Sequence, residues 1–213
     1  MKKKLILFIT ICFLSLWYVI IPKEEEFILP IFTPSDLRSN LVHPSLVGKT
    51  EHTVPDFSFI DQNGDMITEE TIDNKIYVVD FFFTSCPSIC IDLTNNLKQV
   101  QSVFIDNDDV LILSHSVDPK IDNVERLKKY AGINNIDDKK WFLLTGPIED
   151  TIRMAQLGYF AIASFSNHDE NSLIHTENVI LVDKNRKIRG IYNGTSPLET
   201  SYLIADINKL LSY

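Results

Sequence analysis

The feature that most constrains the fold is a run of apolar residues that leads directly into two closely spaced cysteines. Residues 76–83 are rich in β-branched and aromatic side chains and do not alternate strictly, which is typical of a strand covered on both faces. Pro87 suits the first position of a helix, where its missing N–H costs nothing. Apolar residues then recur at helical spacing, at Leu93, Leu97, Val100 and Phe104. The pattern predicts a strand-to-helix elbow with Cys86 and Cys90 on either side of the junction.

This elbow gives the two cysteines their chemistry. We expect Cys86 at the helix N-terminus, where free N–H groups and the positive end of the helix dipole favour a thiolate. Cys90 follows one turn later, so both sulfurs are expected on one face of the helix. Such a pair can form a disulfide, exchange thiols or bind a soft metal ion. A structural disulfide or a pair of buried thiols is the alternative interpretation.

Composition narrows the classes of function. The chain carries a net charge of −9 and its sequence pI is ≈ 5.0. No basic patch stands out, which argues against nucleic acid as a partner. The three cysteines are too few for a disulfide framework. Because Cys12 lies in an N-terminal apolar run, where we expect a plain membrane-facing side chain, the count points to one functional pair.

The N-terminal part of the chain divides into an expected anchor and an expected tether. Residues 5–21 are apolar, follow three lysines and precede three glutamates. A helix of that length spans roughly 26 Å, close to the hydrocarbon thickness of a bilayer. No small-residue cleavage site ends the run. We therefore predict a transmembrane anchor over 1–21 with cytoplasmic lysines, a proline-containing tether over 22–53 and a globular domain over 54–213.

The order of predicted elements in the domain indicates an α/β fold. A hairpin around an Asn-Gly turn precedes the central strand, and a second hairpin pairs 178–183 with 187–192. Between them we expect strands over 110–117 and 141–144, a helix that Gly132 closes and a helix over 147–157; a helix over 197–211 ends the domain. Right-handed crossovers place the strands in a mixed central sheet flanked by helices. With a cysteine pair at the first elbow, this is the layout of a thioredoxin-like fold.

His175 supplies a third candidate ligand. It precedes the final hairpin, and in a thioredoxin-like sheet the start of that hairpin lies beside the cysteine elbow. Two thiolates and an imidazole form a ligand set for copper, because sulfur suits Cu(I) and the added nitrogen suits Cu(II) as well. A surface or hydrogen-bonded histidine is the alternative. Ordinary thiol–disulfide exchangers of this fold place a cis-proline there, whereas this chain has no proline between Pro147 and Pro197.

Three further polar residues bear on the site. Asp118 ends a predicted strand, where capping of the turn with Pro119 is favoured over a tuning role. His115, in the same strand, is expected to be a satisfied, partly buried histidine. His168 is the best candidate for a substitute ligand, with exposure to solvent as its alternative.

Together these motifs resemble the Sco/SenC family. Residues 83–90, with the sequence FTSCPSIC, are similar to the family signature F-T-x-C-P-x-x-C. Residues 116–130 resemble its S-x-D-P segment with Asp122, and residues 175–194 resemble its histidine-bearing hairpin, so that the resemblance covers about 54–212. Two departures stand out. Ile174 replaces the aspartate that commonly precedes the histidine, which bears on the orientation or protonation of His175, and Ile91 replaces a frequent proline.

The resemblance implies a membrane-anchored copper chaperone that binds Cu(I) and/or Cu(II) through Cys86, Cys90 and His175. It also implies a role in assembling the dinuclear copper centre of cytochrome c oxidase. The expected partners are the copper-site subunit of the oxidase or another copper protein, and a thiol reductant that keeps the pair reduced in an oxidising compartment. The implied location is the inner membrane, single-pass, with the domain on the outer, periplasmic face.

Other functions make different demands on the same residues. A thiol–disulfide oxidoreductase that reduces partner proteins needs Cys86 and Cys90 but not His175. A peroxidase of the peroxiredoxin type needs a threonine three residues before its reactive cysteine, whereas Thr84 is two residues before Cys86. A purely structural domain leaves the elbow unexplained.

Overall fold

The strands that the structure describes form one small hairpin and one central sheet. The computed structural model describes residues 28–39, 42–161 and 176–212. Its strands are β1 (Ser58–Ile60), β2 (Met66–Thr68), β3 (Ile76–Phe82), β4 (Val110–Ser116), β5 (Trp141–Leu144), β6 (Asn178–Val182) and β7 (Ile188–Asn193). The central sheet has the order β5-β4-β3-β6-β7. Its strands β3, β4 and β5 are parallel, and β6 and β7 are antiparallel additions. The predicted mixed sheet is therefore confirmed.

Four helices flank the central sheet within the described residues. They are α1 (Ile89–Val103), α2 (Val124–Asn134), α3 (Ile148–Arg153) and α4 (Pro197–Leu211). α3 continues as a wider π-type turn over Met154–Gly158. On one face of the sheet, α1 contacts α2 through a 2.8 Å hydrogen bond between the hydroxyls of Thr94 and Tyr130. α1 also packs against α4, so these three helices form one layer.

Two predicted helix boundaries were wrong. The helix after the elbow begins at Ile89 with Ser88 as its N-cap, so Pro87 precedes the helix instead of opening it. Gly132 lies inside α2, which ends at Asn135 in the left-handed conformation, with φ of 55°. The Asn135 N–H donates to the carbonyls of Ala131 and Gly132, and asparagine tolerates this conformation well enough to end a helix in place of glycine.

The opposite face of the sheet is covered by aromatic side chains. Phe81 of β3 stacks on His115 of β4, with ring centroids 5.4 Å apart. Phe59 of the β1–β2 hairpin meets the same imidazole edge-on at 4.8 Å, and Tyr159 lies at 5.8 Å. Since all four side chains are buried, this face is a closed aromatic layer around a histidine.

The β5 edge of the sheet is protected by the segment that leads away from β1. Ile60 exchanges two backbone hydrogen bonds with Thr145, of 2.9 and 2.8 Å. The buried side chain of Gln62 then acts like a further strand residue, because its amide donates to the Trp141 carbonyl at 2.8 Å and accepts from the Leu143 N–H at 2.7 Å. This arrangement satisfies backbone groups that an open edge would leave unpaired.

The N-terminal segment covers the other edge. The Phe32 N–H donates to the Ile188 carbonyl of β7 at 2.8 Å, and the Arg189 side chain donates to the carbonyls of Leu29 and Pro30 at 2.5 and 3.0 Å. Lys187 reaches the His52 carbonyl at 2.8 Å. The part of the expected tether that the structure describes therefore packs against the domain, a contact that its proline-containing composition did not predict.

The expected anchor over 1–21 lies outside the described residues. Within the ranges 28–39, 42–161 and 176–212, no helix has both the length and the apolar character needed to cross a membrane.

Gly194 allows α1 to approach the end of β7 closely. A β-carbon at this position would collide with side-chain atoms of Leu93 and Val179 and would lie 3.1 Å from the Glu177 carbonyl oxygen. We therefore expect Gly194→Ala to lower the free energy of unfolding by about 1–3 kcal/mol, the usual cost of overpacking. Urea denaturation measures this change.

The matched control is Gly132→Ala in α2. No atom lies within 4 Å of the β-carbon added there, and alanine is favoured over glycine inside a helix by about 1 kcal/mol. The control should therefore be as stable as the parent protein or more stable. Equal effects of the two substitutions would contradict the close approach at Gly194.

Candidate metal and thiol site

Cys86 and Cys90 lie where β3 gives way to α1. β3 ends at Phe82, and the Cys86 N–H donates to the Phe83 carbonyl at 3.2 Å, which turns the chain out of the sheet. Cys86 precedes the helix and is half-buried, whereas Cys90 is in the first turn of α1 and is only 4% exposed. The prediction of two sulfurs on one helical face was therefore wrong in detail. Both are free thiols, and they lie close enough to interact.

The surroundings of Cys86 favour its thiolate. Burial by itself would raise the pKa of the Cys86 thiol, but hydrogen bonds from the Cys90 thiol, the N–H groups of Ser88 and Cys90 and the Ser88 hydroxyl outweigh it and lower the pKa. Ser88 is the N-cap residue of α1, yet its side chain makes no capping hydrogen bond to the helix. The start of the helix thus supplies N–H donors to the sulfur, as the sequence predicted, although the helix begins later than expected.

Cys90 has the opposite character. Burial raises the pKa of its thiol to about 12, and the hydrogen bond to Cys86 and the nearby charge of Asp80 act in the same direction. The pair therefore holds one sulfur whose pKa is lowered and one that stays protonated at neutral pH. A nucleophilic thiol beside a protonated partner suits disulfide exchange, and two adjacent sulfurs suit a soft metal ion.

Asp80 is a buried carboxyl group in the strand that leads to the cysteines. It is 2% exposed, and its side chain accepts a hydrogen bond from the Ser114 hydroxyl, which in turn accepts from the Trp141 indole N–H at 2.7 Å. Burial raises the pKa of Asp80 to about 7, and the Ser114 hydroxyl only partly offsets that rise. The charge that acts on Cys90 therefore changes near neutral pH.

A second buried carboxylate, Asp122, holds the loop between β3 and Cys86. Asp122 is fully buried and accepts hydrogen bonds from the Thr84 hydroxyl at 2.5 Å, the Thr84 N–H at 3.1 Å and the Ser116 hydroxyl at 2.7 Å. The Arg126 side chain donates to the Thr84 hydroxyl oxygen at 2.8 Å. These bonds tie the elbow to the end of β4.

The start of the final hairpin lies at the same end of the sheet as the elbow. β6 runs antiparallel to β3, with Val79 opposite Ile180, so residues that precede β6 are at the end where β3 finishes. Thr176 is buried and its hydroxyl accepts from the Asn178 N–H at 3.1 Å. His175 and His168 lie outside the described residues. Within the described ranges, no three histidine, cysteine or acidic side chains gather into a metal site.

Asp118 and His115, two further residues considered from the sequence, lie in different surroundings. The Asp118 carbonyl accepts from the N–H groups of Ile121 and Asp122, at 3.0 and 2.8 Å, so this residue closes a turn. His115 is fully buried, and neither of its ring nitrogens has a hydrogen-bond partner among the described residues. The expectation of a satisfied, partly buried His115 was therefore wrong.

Sequence reasoning did not assign roles to Asp80, Ser88 or Asp122. A signal was present for Asp80, because a carboxyl group in an otherwise apolar, buried strand has to be hydrogen-bonded, paired or protonated. Ser88 carried the pattern of an N-cap residue. Asp122 lies in the segment that resembles the family motif, but its role was not predictable, because its partner Thr84 is distant in sequence and its partner Ser116 belongs to another element.

Known proteins share both the sequence and the fold of this chain. The model of the SCO1/SenC family matches residues 47–212. A SCO1 protein homolog of Bacillus subtilis (strain 168) is 30% identical over 157 residues, which are 73% of this chain and 81% of the relative. The crystal structure of a SCO1/SenC family lipoprotein from Bacillus anthracis has a TM-score of 0.67 at 28% identity, over 75% of this chain and 95% of that protein.

Two further structures add to the comparison. BsSco, a member of the Sco family of cytochrome c oxidase assembly proteins in which a disulfide switch has been identified, has a TM-score of 0.64 at 28% identity, over 76% of this chain and 95% of that one. Arabidopsis thaliana ScoI with copper bound shares the fold, with a TM-score of 0.57 at 23% identity, over 76% of this chain and all of that one. Because the family match runs from the N-terminal segment through the cysteine elbow to α4, this chain belongs to the SCO1/SenC family.

Proposed function

We propose that this protein is a copper carrier in which Cys86 and Cys90 supply two sulfur ligands and His175 supplies a nitrogen ligand. The observation that carries the proposal is the pair of free thiols at the start of α1, where a hydrogen bond from the Cys90 thiol and the N–H groups of Ser88 and Cys90 lower the pKa of Cys86. A thiolate is the form of cysteine that binds metal, and soft sulfur ligands select Cu(I). Copper is the cargo in this proposal.

The choice of His175 as the third ligand rests on its neighbour. Thr176 lies at the end of the sheet where β3 delivers the cysteines, and the next residue toward the N-terminus is His175. Ile174 cannot orient this imidazole by a hydrogen bond as an aspartate would. Binding through His175 would therefore depend on other partners for its ring.

The relatives support copper as the cargo and an oxidase as the recipient. Arabidopsis thaliana ScoI has been seen with copper bound, and BsSco belongs to the cytochrome c oxidase assembly proteins. We infer that the protein delivers copper to the copper-site subunit of the oxidase, or to another copper protein, after a thiol reductant has reduced its cysteines. For its location we propose the outer face of the inner membrane, held by residues 1–21, in keeping with a relative that is a lipoprotein.

A second candidate function is thiol–disulfide exchange on partner proteins. The observation that favours it is the opposite behaviour of the two thiols, because the pKa of Cys86 is lowered and that of Cys90 is raised to about 12. Such a pair can attack a disulfide through Cys86 and then resolve the mixed disulfide through Cys90. This chemistry does not use His175.

Titration of the reduced full-length protein with Cu(I) and Cu(II) in the presence of a competing chelator tests the proposal. We expect one copper per chain, loss of binding when the pair is oxidised to a disulfide, and binding weakened by roughly 10-fold or more in His175→Ala, since even partners outside the ligand set cost 10–100-fold when removed. His168→Ala is the matched control and should bind like the parent. Copper affinity unchanged by His175→Ala, together with rapid reduction of insulin disulfides, would favour the oxidoreductase.

A further inference from the structure

Asp122 is an unusual carboxylate because it is fully buried without an ion-pair partner within the described part of the chain. A polar side chain in such a place needs hydrogen bonds to offset the loss of water. It receives three, and two of them come from Thr84, through the backbone N–H and the hydroxyl. The third comes from Ser116 at the end of β4.

Thr84 is the point at which the chain leaves the sheet on its way to the cysteines. It lies two residues after the end of β3 and two residues before Cys86. Bonding both its N–H and its hydroxyl to one carboxylate restricts the backbone and the side-chain rotamer of Thr84 together. The Arg126 side chain occupies the remaining side of the hydroxyl, so Thr84 is held from two directions.

The position of this loop determines what the Cys86 sulfur can touch. Cys86 is outside α1, so no helical hydrogen bond holds it beside the N–H groups of Ser88 and Cys90. Its own N–H bonds to Phe83 in a single turn. The bond set at Thr84 adds a constraint on the incoming chain, and the Asp122 backbone is itself fixed by its N–H bond to the Asp118 carbonyl at 2.8 Å.

We propose that Asp122 is a positioning residue for the cysteine pair: it clamps Thr84 so that the Cys86 sulfur meets the first turn of α1. The clamp fixes the reduced pair in the arrangement that binds metal or attacks a disulfide. Asp122 acts through Thr84 and does not itself touch copper or the sulfurs. The part of this inference that concerns copper rests on the proposed function, whereas the part that concerns the reactivity of Cys86 does not.

Asp122→Ala and Thr84→Val test the clamp in the reduced full-length protein. Thr84→Val keeps the shape of the side chain but removes the hydroxyl that donates to Asp122, so it remains informative if Asp122→Ala does not fold. We expect both variants to bind Cu(I) about 10- to 100-fold more weakly in competition with bicinchoninate, the range typical for residues that orient ligands. We also expect iodoacetamide to modify Cys86 several-fold more slowly at pH 7 in both variants. Peptide mass mapping distinguishes the modification of Cys86 from that of Cys12.

Asp183→Ala is the control for the loss of a buried carboxylate, although Asp183, unlike Asp122, also pairs with Arg189 at 2.7 Å. Asp183 is 7% exposed and accepts from the N–H groups of Asn185 and Lys187, both at 2.9 Å, at the opposite end of the sheet. Its loss should lower the melting temperature without changing the reactivity of Cys86 or the affinity for copper. If Asp122→Ala and Thr84→Val behaved in the same way as this control, Asp122 would be a purely structural residue. If the parent protein bound no copper, the proposed function would fail, while the alkylation rates would still decide the role of Asp122.

Discussion

Cys90→Ser is expected to reduce the affinity for Cu(I) by more than about 100-fold while leaving Cys86 reactive toward alkylating reagents. The loss of affinity exceeds the 10–100-fold typical of outer partners because a thiolate ligand itself is removed. Cys86 keeps its reactivity because most donors that lower its pKa, the N–H groups of Ser88 and residue 90 and the Ser88 hydroxyl, survive the substitution. The serine hydroxyl can also replace the donor of the Cys90 thiol.

Cys86→Ser should lose copper to the same extent but give the opposite result in alkylation. The remaining thiol, Cys90, is 4% exposed and has a pKa raised to about 12 by burial, so it is protonated and shielded at pH 7. Competition with bicinchoninate measures the affinity, and mass mapping after iodoacetamide treatment measures the reactivity. Cys12→Ser is the control and should match the parent in copper binding. Equal alkylation of Cys86 and Cys90 in the parent protein would contradict the assigned asymmetry.

The frame of the fold was predictable because hydrophobic patterns are local. The apolar run of β3 and the spacing of Leu93 and Leu97 in α1 appear in the structure as a fully buried strand and a buried helix face. The hairpin of β6 and β7 was predicted to within a residue or two. The main boundary errors were at helix ends. Pro87 and Ser88 are both typical of the start of a helix, and Gly132 and Asn135 are both typical of its end. Tertiary contacts determine which residue of each pair marks the boundary.

The chemistry of the site was less predictable because it depends on distant partners. The elbow predicted a lowered pKa for Cys86, and the structure agrees, although the hydrogen bond from the Cys90 thiol contributes more than the N–H groups of Ser88 and Cys90. The network from Trp141 through Ser114 to Asp80 joins three strands of the sheet, and the clamp of Asp122 on Thr84 joins residues 38 positions apart. Neither periodicity nor spacing reports such pairs, since each residue looks ordinary in its own segment.

The packing of the N-terminal segment shows the same limit. Its prolines and mixed polar residues are typical of a linker, yet Leu29 and Leu46 are buried, and Arg189 of β7 holds the carbonyls of Leu29 and Pro30. The edge of β7 has unpaired backbone groups that need a partner. These unpaired groups exist only once the sheet has formed, so the sequence of the N-terminal segment does not show that it will pair with them.

The imidazole of His115, whose ring nitrogens have no hydrogen-bond partner among the described residues, leads to the second large expected effect, on stability in acid. Burial lowers the pKa of His115 in the folded protein from 6.5 to about 3. The unfolded chain therefore binds a proton below pH 6.5 that the folded chain does not bind until about pH 3. Stability that His115 contributes in its neutral form is fully present above pH 6.5 and is lost as the pH falls toward 3. At pH 4 the loss amounts to about 3 kcal/mol.

His115→Phe isolates this contribution, because a phenyl ring suits the aromatic surroundings of Phe59, Phe81 and Tyr159 and carries no titratable nitrogen. Urea denaturation of the reduced protein between pH 7.5 and pH 4 should show the variant gaining about 3 kcal/mol over the parent as the pH falls. Tyr159 faces His115 but does not titrate in this range, since burial raises the pKa of its hydroxyl above 10.

Asp80 changes the stability in acid in the opposite direction to His115, so the two contributions have to be distinguished. Burial raises its pKa from 3.8 to about 7, so the folded chain holds a proton that the unfolded chain releases, and its contribution to stability grows as the pH falls from 7 to 3.8. This contribution is present in both the parent and His115→Phe and cancels in their difference. Asp80→Asn should remove this contribution, so that the free energy of unfolding of the variant falls more steeply in acid than that of the parent. If the stability difference between the parent and His115→Phe stayed constant from pH 7.5 to pH 4, the imidazole would have to be protonated, or hydrogen-bonded to a group that accepts its charge, in the folded protein.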